Sequence, residues 1–173
     1  MILKDTKLRT ELKSFVKINL EIEDIIIFGS VSRGKEKPND IDILVLFKEK
    51  IDKKSEYQLR KMIEVKYTNV SILSKTAKSV LESSFDARES ILFEGFSLLS
   101  GENISSKYGF SSYGAFKYNF KGFNGLQKTK FYHALHGRKG KEGIFLKLGC
   151  IKFSDNLILV PLSKIEEFRI FLE

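Results

Sequence analysis

Two apolar runs stand close together early in the chain, residues 25–28 (IIIF) and 43–46 (ILVL), separated by a polar loop that contains Gly29 and Gly34. A run this short and β-branched reads as a strand buried on both faces rather than a helix. The second strand starts at Asp40, where Ile41, Ile43 and Val45 alternate with Asp40, Asp42 and Leu44. Ahead of both, Leu8, Leu12, Phe15 and Val16 repeat at helical spacing and predict a helix over 6–20. Behind them, a helix is expected over 55–65 with Ser55 as its cap. A third strand follows over 66–73, then helices over 75–83 and 86–94, the last stopped by Gly95. A short strand over 96–99 precedes a turn at Ser100–Gly101.

The pattern then changes. Residues 107–125 are rich in aromatic residues, glycine and lysine, with weak periodicity. A helix is predicted over 126–136, ending at Gly137. A hairpin of 144–153 and 157–161 turns at Ser154-Asp155-Asn156, and a last helix over 163–172 is capped by Ser163. The expected architecture is α+β. A mixed sheet flanked by helices fills residues 1–106, and a small basic α+β appendage fills 107–173. No repeat of solenoid period is present.

Composition narrows this only where it is uneven. The 173 residues suit one domain with an appendage, and the net charge is +8. Residues 1–106 carry 18 Lys/Arg against 17 Asp/Glu, whereas 107–173 carry 12 against 5. The excess in the second part points to polyanionic partners. Cys150 is the only cysteine, so neither an internal disulfide nor a cysteine cluster for zinc can form, and it is expected to be a small buried residue. The opening MILKDTKLRTELKSF lacks the apolar stretch of a signal peptide, and no apolar run reaches the roughly 20 residues that span a bilayer. A soluble cytoplasmic protein without a membrane partner is expected.

The chemistry concentrates at Asp40 and Asp42. Alternate residues of a strand share a face, so the two carboxylates point the same way. Like charges repel, and both are costly to desolvate. A hard cation resolves the conflict, and Mg²⁺ is usually held by one or two carboxylates plus substrate phosphates. The loop before them supplies what phosphates require: Gly29 for close backbone approach, Ser30 for a hydroxyl and an N–H, and Arg33, Lys35 and Lys37 for positive charge. A helix starting just after Ser30 would add unpaired N–H groups.

Gly29-Ser30, nine residues, then Asp40-Ile41-Asp42, with Arg33 and Gly34 in the loop, resembles the signature of the DNA polymerase beta-like nucleotidyltransferases. It is most similar to their prokaryotic minimal branch. The resemblance spans about residues 6–101, including the GFSLLSG segment. It implies a nucleoside triphosphate, Mg²⁺ held by Asp40 and Asp42, terminal phosphates held by Gly29, Ser30 and Arg33, and nucleotidyl transfer to a hydroxyl of RNA or protein. That family usually carries a third carboxylate on the next strand. The matching segment here is Val70-Ser71-Ile72, and serine is neither an anionic ligand nor a general base near neutral pH. Glu64 reads as helical, and Asn69 sits one pleat away. Two other readings therefore stand beside the enzyme. One is a catalytically degenerate protein that binds nucleic acid. The other is an antitoxin-like protein that pairs with a toxin partner, as in the minimal branch.

Between Lys107 and Lys152 there are ten Lys/Arg and one acid, Glu142, with seven aromatic residues from Tyr108 to Phe123 threaded through the first half. Cations that neutralise phosphates among rings that stack on bases characterise single-stranded nucleic-acid surfaces. Lys117, Lys121, Lys128, Lys130, Arg138, Lys139 and Lys141 are the expected contacts to RNA or DNA. The competing expectation is that the rings form a small core. His133 and His136 share a helix face without a third metal-ligand type nearby, and a surface or packing role is expected for them.

Overall fold

A computed structural model describes residues 2–173. The chain divides between Phe110 and Ser111 into two compact units. That point lies four residues beyond the boundary expected near residue 106: Lys107 is bonded to Asp24 of the first unit, and Phe110 N donates to Ser105 O.

In the first unit, helix α1 (Thr6–Ile18) is capped by Asp5, whose carboxylate accepts from Leu8 N at 2.8 Å, and it buries Leu8 and Leu12. Strand β1 (Ile22–Phe28) begins three residues before the apolar run, since Ile22 and Asp24 are also buried. Buried Asp24 is satisfied by Ile25 N, Ser97 Oγ and Lys107 Nζ, a set of partners that local pattern does not disclose. Strand β2 (Ile41–Phe47) runs antiparallel to β1 and parallel to β3 (Val70–Thr76), while β4 (Phe96–Ser97) pairs with the other edge of β1. The sheet order is β3-β2-β1-β4. Helices α2 (Lys53–Glu64), α3 (Arg88–Glu94) and the short α4 (Ile104–Lys107) complete the unit.

The sheet is buried on both faces, which is why its central strands read as continuous apolar runs. Ile25, Ile27, Ile43 and Val45 pack with Leu8, Leu12, Leu59 and Ile63 of α1 and α2. Ile26 and Leu44 pack with Phe85, Ile91 and Ile104 on the opposite face.

Several predicted boundaries move. Asp52, not Ser55, caps α2, and Ser55 Oγ donates to Asp52 and to Asn19 Oδ1. Strand β3 starts at Val70 rather than 66, because the chain first turns through Asn69 at φ 55°. The helix expected over 75–83 is the end of β3 followed by a 3₁₀ turn, Ser79–Leu81, held by Thr76–Ser79 hydrogen bonds.

In the second unit, β5 (Tyr113–Lys117), β8 (Ile151–Ser154) and β9 (Leu157–Pro161) form an antiparallel sheet of order β5-β9-β8. Helix α5 (Gly125–His136) carries a capping box between Asn124 and Gln127. The two-residue strands β6 (Gly137–Arg138) and β7 (Lys141–Glu142) make a small hairpin. The first half of the strand expected over 144–153 is instead a helical turn, α6 (Ile144–Lys147), which brings Leu148 and Cys150 into the core. The last helix, α7 (Ile165–Leu172), starts after a 3₁₀ turn, so Ser163 is not its cap. The core joins Leu135, Leu148, Cys150, Ile158, Val160 and Phe168, with Phe116, Tyr118, Phe131 and Phe171 against it.

Candidate active site

Register brings the sequence signature together. Phe28, the last residue of β1, pairs with Asp42, so Gly29 lies beside that carboxylate. Gly29 has φ +76°, and a Cβ there would stand 2.9 Å from Asp42 Oδ2. Both facts demand glycine: one for backbone freedom, the other for space. Ser30 then opens a run of turns, with Arg33 N donating to Gly29 O at 3.3 Å and Lys35 N to Ser30 O at 3.1 Å. Val31 is buried, and buried Ser32 donates its hydroxyl to Ile27 O at 3.2 Å, which pins the loop to the strand. No regular helix follows Ser30, so the helix N-terminus expected there is replaced by these turns.

Asp42 is half-buried on β2, and Asp40 is exposed just ahead of the strand. Burial raises the Asp42 carboxyl above its ordinary range, and the neighbouring charge of Asp40 raises it further, while Arg33 opposes both. By strand parity Asp42 lies on the Leu44 face of the sheet, the side covered by α3. The strand starts at Ile41 rather than at Asp40 as expected, so parity does not fix Asp40, though its charge acts on Asp42. Arg33 is engaged by Glu94, at the end of α3, in an ion pair. An acid at a helix end carries no sequence signal for this role, so Glu94 was not among the expected residues.

Ser71 stands directly opposite Asp42 in the parallel pairing of β2 with β3, and it is exposed. Glu64 remains on α2, beside Arg60 and Lys61. Asn69 donates its side-chain amide to Asn39 O at 3.1 Å, and its own carbonyl accepts from Ile41 N at 2.9 Å. It thus secures the chain around Asp40. Among the described residues no cluster of three His, Cys, Asp or Glu could hold a metal.

In the second unit, Lys117, Lys121, Lys128, Lys130, Arg138, Lys139 and Lys141 are all exposed. Arg138 pairs with Lys141 across β6 and β7, and Lys139 (φ 50°) and Gly140 (φ 80°) form the tip. Most of the rings pack on one another: Phe116 on Phe168, and Tyr118 and Phe120 on Phe131. His136 stacks on Tyr132 and meets Phe145, which is a packing role. No helix among the described residues is long and apolar enough to cross a membrane.

Comparison with known proteins bears on the first unit. Residues 10–95 match the family described as polymerase beta, nucleotidyltransferase. No curated protein matches the chain. Solved structures similar to it include a mutant MntA–HpeT toxin–antitoxin (18% identity, TM-score 0.39, covering 52% of this chain and 70% of that one). A toxin–antitoxin structure with AMP-PNP is 22% identical with TM-score 0.39, covering 52% and 71%. A tri-AMPylated Shewanella oneidensis HEPN toxin in complex with MNT antitoxin is 20% identical with TM-score 0.36, covering 59% and 84%. Through residues 10–95, which hold the glycine-serine loop, both aspartates and Ser71, the chain belongs to the polymerase beta-like nucleotidyltransferase family.

Proposed function

We propose that the first unit binds a nucleoside triphosphate with Mg²⁺ and transfers its nucleotidyl group to a hydroxyl of RNA or protein. The observation that carries this reading is Asp42. Its carboxylate is half-buried beside Gly29, and both burial and Asp40 disfavour its charge. A divalent cation reverses that penalty, and the all-oxygen donor set suits Mg²⁺. Asp40 and Asp42 would hold the ion. The backbone at Gly29 and Ser30 would lie against the terminal phosphates. When bound, the ion neutralises phosphate charge and favours the ionised form of the attacking hydroxyl. Arg33, paired with Glu94, adds positive charge near Asp42. The acceptor oxygen attacks the α-phosphorus, the bond to the β-phosphate oxygen breaks, and pyrophosphate leaves. The acceptor proton finds no carboxylate at Ser71, so it passes to water or to a base brought by the acceptor.

Ser71 opposite Asp42 also supports a second reading, nucleotide binding with little or no transfer. Thermal shift with each ribonucleoside triphosphate, with and without Mg²⁺, separates these from a vacant relic. A ligand at 100 times its Kd adds about 2.7 kcal/mol, which raises the midpoint by several degrees. A Mg²⁺-dependent rise abolished by Asp40→Ala/Asp42→Ala is expected, and no rise with any triphosphate overturns both readings. Transfer of α-labelled nucleotide to RNA or to a co-purifying protein then decides between enzyme and binder. Ser71→Asp should raise that transfer if the missing carboxylate limits it.

A further inference from the structure

The second unit contains a cleft of about 270 Å³ lined by Tyr118, Tyr132, His136, Phe145, Lys152 and Ile158, with Asp155 at its edge. This lies below the roughly 300–1,000 Å³ that drug-sized ligands occupy, so it suits one flat ring better than a whole nucleotide. Tyr132 and His136 form one wall as a stacked pair, 6.1 Å between ring centres and 15° between planes, and Tyr132 is 42% exposed. Lys152 and Asp155, joined at 2.7 Å, add a donor and an acceptor to the lining.

The charge around the cleft is divided unequally. Lys147, Lys152, Lys164 and Arg169 each have a carboxylate partner. None of the seven cations Lys117, Lys121, Lys128, Lys130, Arg138, Lys139 and Lys141 forms an ion pair among the described residues. Lys128, Tyr132 and His136 follow one another at four-residue steps along one face of α5, a span of about 12 Å. The Arg138–Lys141 hairpin begins where that helix ends. Unpaired cations therefore stand at both ends of the aromatic wall.

We propose that the second unit binds single-stranded nucleic acid, seating one unpaired base against Tyr132 in this cleft and carrying the flanking phosphates past Lys128 and the Arg138–Lys141 hairpin. Base-paired nucleic acid cannot offer a ring to the slot. An acidic peptide would satisfy the cations but not the aromatic wall.

The test is fluorescence anisotropy of the full chain with labelled twelve-nucleotide oligo-uridine and oligo-adenosine RNA, the corresponding DNA, and a duplex of the same length. Mg²⁺ and triphosphate are omitted, so the outcome is independent of nucleotide binding at Asp40 and Asp42. Single strands should bind more tightly than the duplex, and the RNA and DNA arms show which strand is preferred. Tyr132→Leu keeps apolar bulk against Phe120 and Phe131 but removes the stacking face; it should weaken binding about tenfold with the salt slope unchanged. Arg138→Gln/Lys141→Gln should instead flatten the salt slope by about 0.7 for each phosphate no longer neutralised. Lys152→Gln, fully outside the core, gives a further variant if Tyr132→Leu loses its fold by circular dichroism, and should change the preference between bases. Equal affinity for duplex and single strand, undiminished binding by folded Tyr132→Leu, an unchanged base preference in Lys152→Gln, or no binding at low salt overturns the proposal; the last result, with capture of an acidic protein instead, assigns the patch to a protein partner.

Discussion

The two units place charge in opposite ways. The first has nearly balanced charge and sets a half-buried carboxylate, Asp42, beside a second, exposed one, Asp40, at the end of a sheet buried on both faces. The second pairs Asp155, Glu166 and Glu167 with cations and leaves seven other cations in water around a core of interlocked rings. The function proposed for the first rests on a carboxylate that conflicts with its surroundings. The binding proposed for the second rests on charges that have no partner, a weaker mark, since an exposed lysine costs almost nothing to keep. A conflicted acid predicts an atom-level ligand, and an unpaired cation predicts only the class of partner.

The comparison can be broken at four points. Phe168 is fully buried at the centre of the second core, and Phe168→Ala should destabilise that unit by about 3–5 kcal/mol. Amide exchange should show the loss across residues 111–173. Equal loss of protection in β1 and β2 would mean that the two units do not differ in the way described. Gly29→Ala should cost about 1–3 kcal/mol through its left-handed φ and the close approach to Asp42, and should remove any Mg²⁺-dependent nucleotide shift. Retention of that shift would show that close backbone approach is not needed there.

Asp5→Ala removes the α1 cap and should cost about 1 kcal/mol. The hydrogen bond from Leu8 N holds the Asp5 carboxyl below its usual 3.8, so its contribution is complete above that pH and lost as pH falls through the lower, folded value. Urea titrations of wild type and variant should converge there. Asp42 has the opposite sign. Its folded value lies above 3.8, so its stabilisation is present at low pH and lost as pH rises through the raised value. Asp42→Asn should therefore be slightly more stable than wild type at neutral pH in the absence of ligand, by up to about 0.5 kcal/mol. A loss instead would mean that the carboxylate already has a partner in the free protein.

What the sequence disclosed follows from which forces are local. Ile25, Ile27, Ile43 and Val45 announce a doubly buried sheet, because this follows from strand period alone, whereas the i, i+2 argument for a shared face reaches only Asp42, since the strand starts at Ile41. The expectation that Ser71 takes the place of the third carboxylate rests on register, and the parallel pairing sets it opposite Asp42. Hidden from the sequence were long-range partners: Glu94 for Arg33, and Ser97 with Lys107 for Asp24. The cap of α2 is misread where two candidates stand close together: Asp52 precedes the helix and accepts from Lys54 N, while Ser55 lies in the first turn and donates to Asp52. The extent of β5 and the packing of Tyr118 and Phe120 on Phe131 were obscured by glycine and aromatic density, which blurs both helical and strand periods.

A sheet covered on both faces has an ambiguity that a one-sided sheet lacks. Sliding β2 by one residue exchanges Ile43 for Leu44 in the core below and the reverse above, and apolar packing barely notices. Asp42 notices, because the slip would drive its carboxylate among Leu8, Leu12 and Leu59. Asp42 thus also acts as an alignment key for the strand that carries it, a role in register separate from the ligand binding proposed for it.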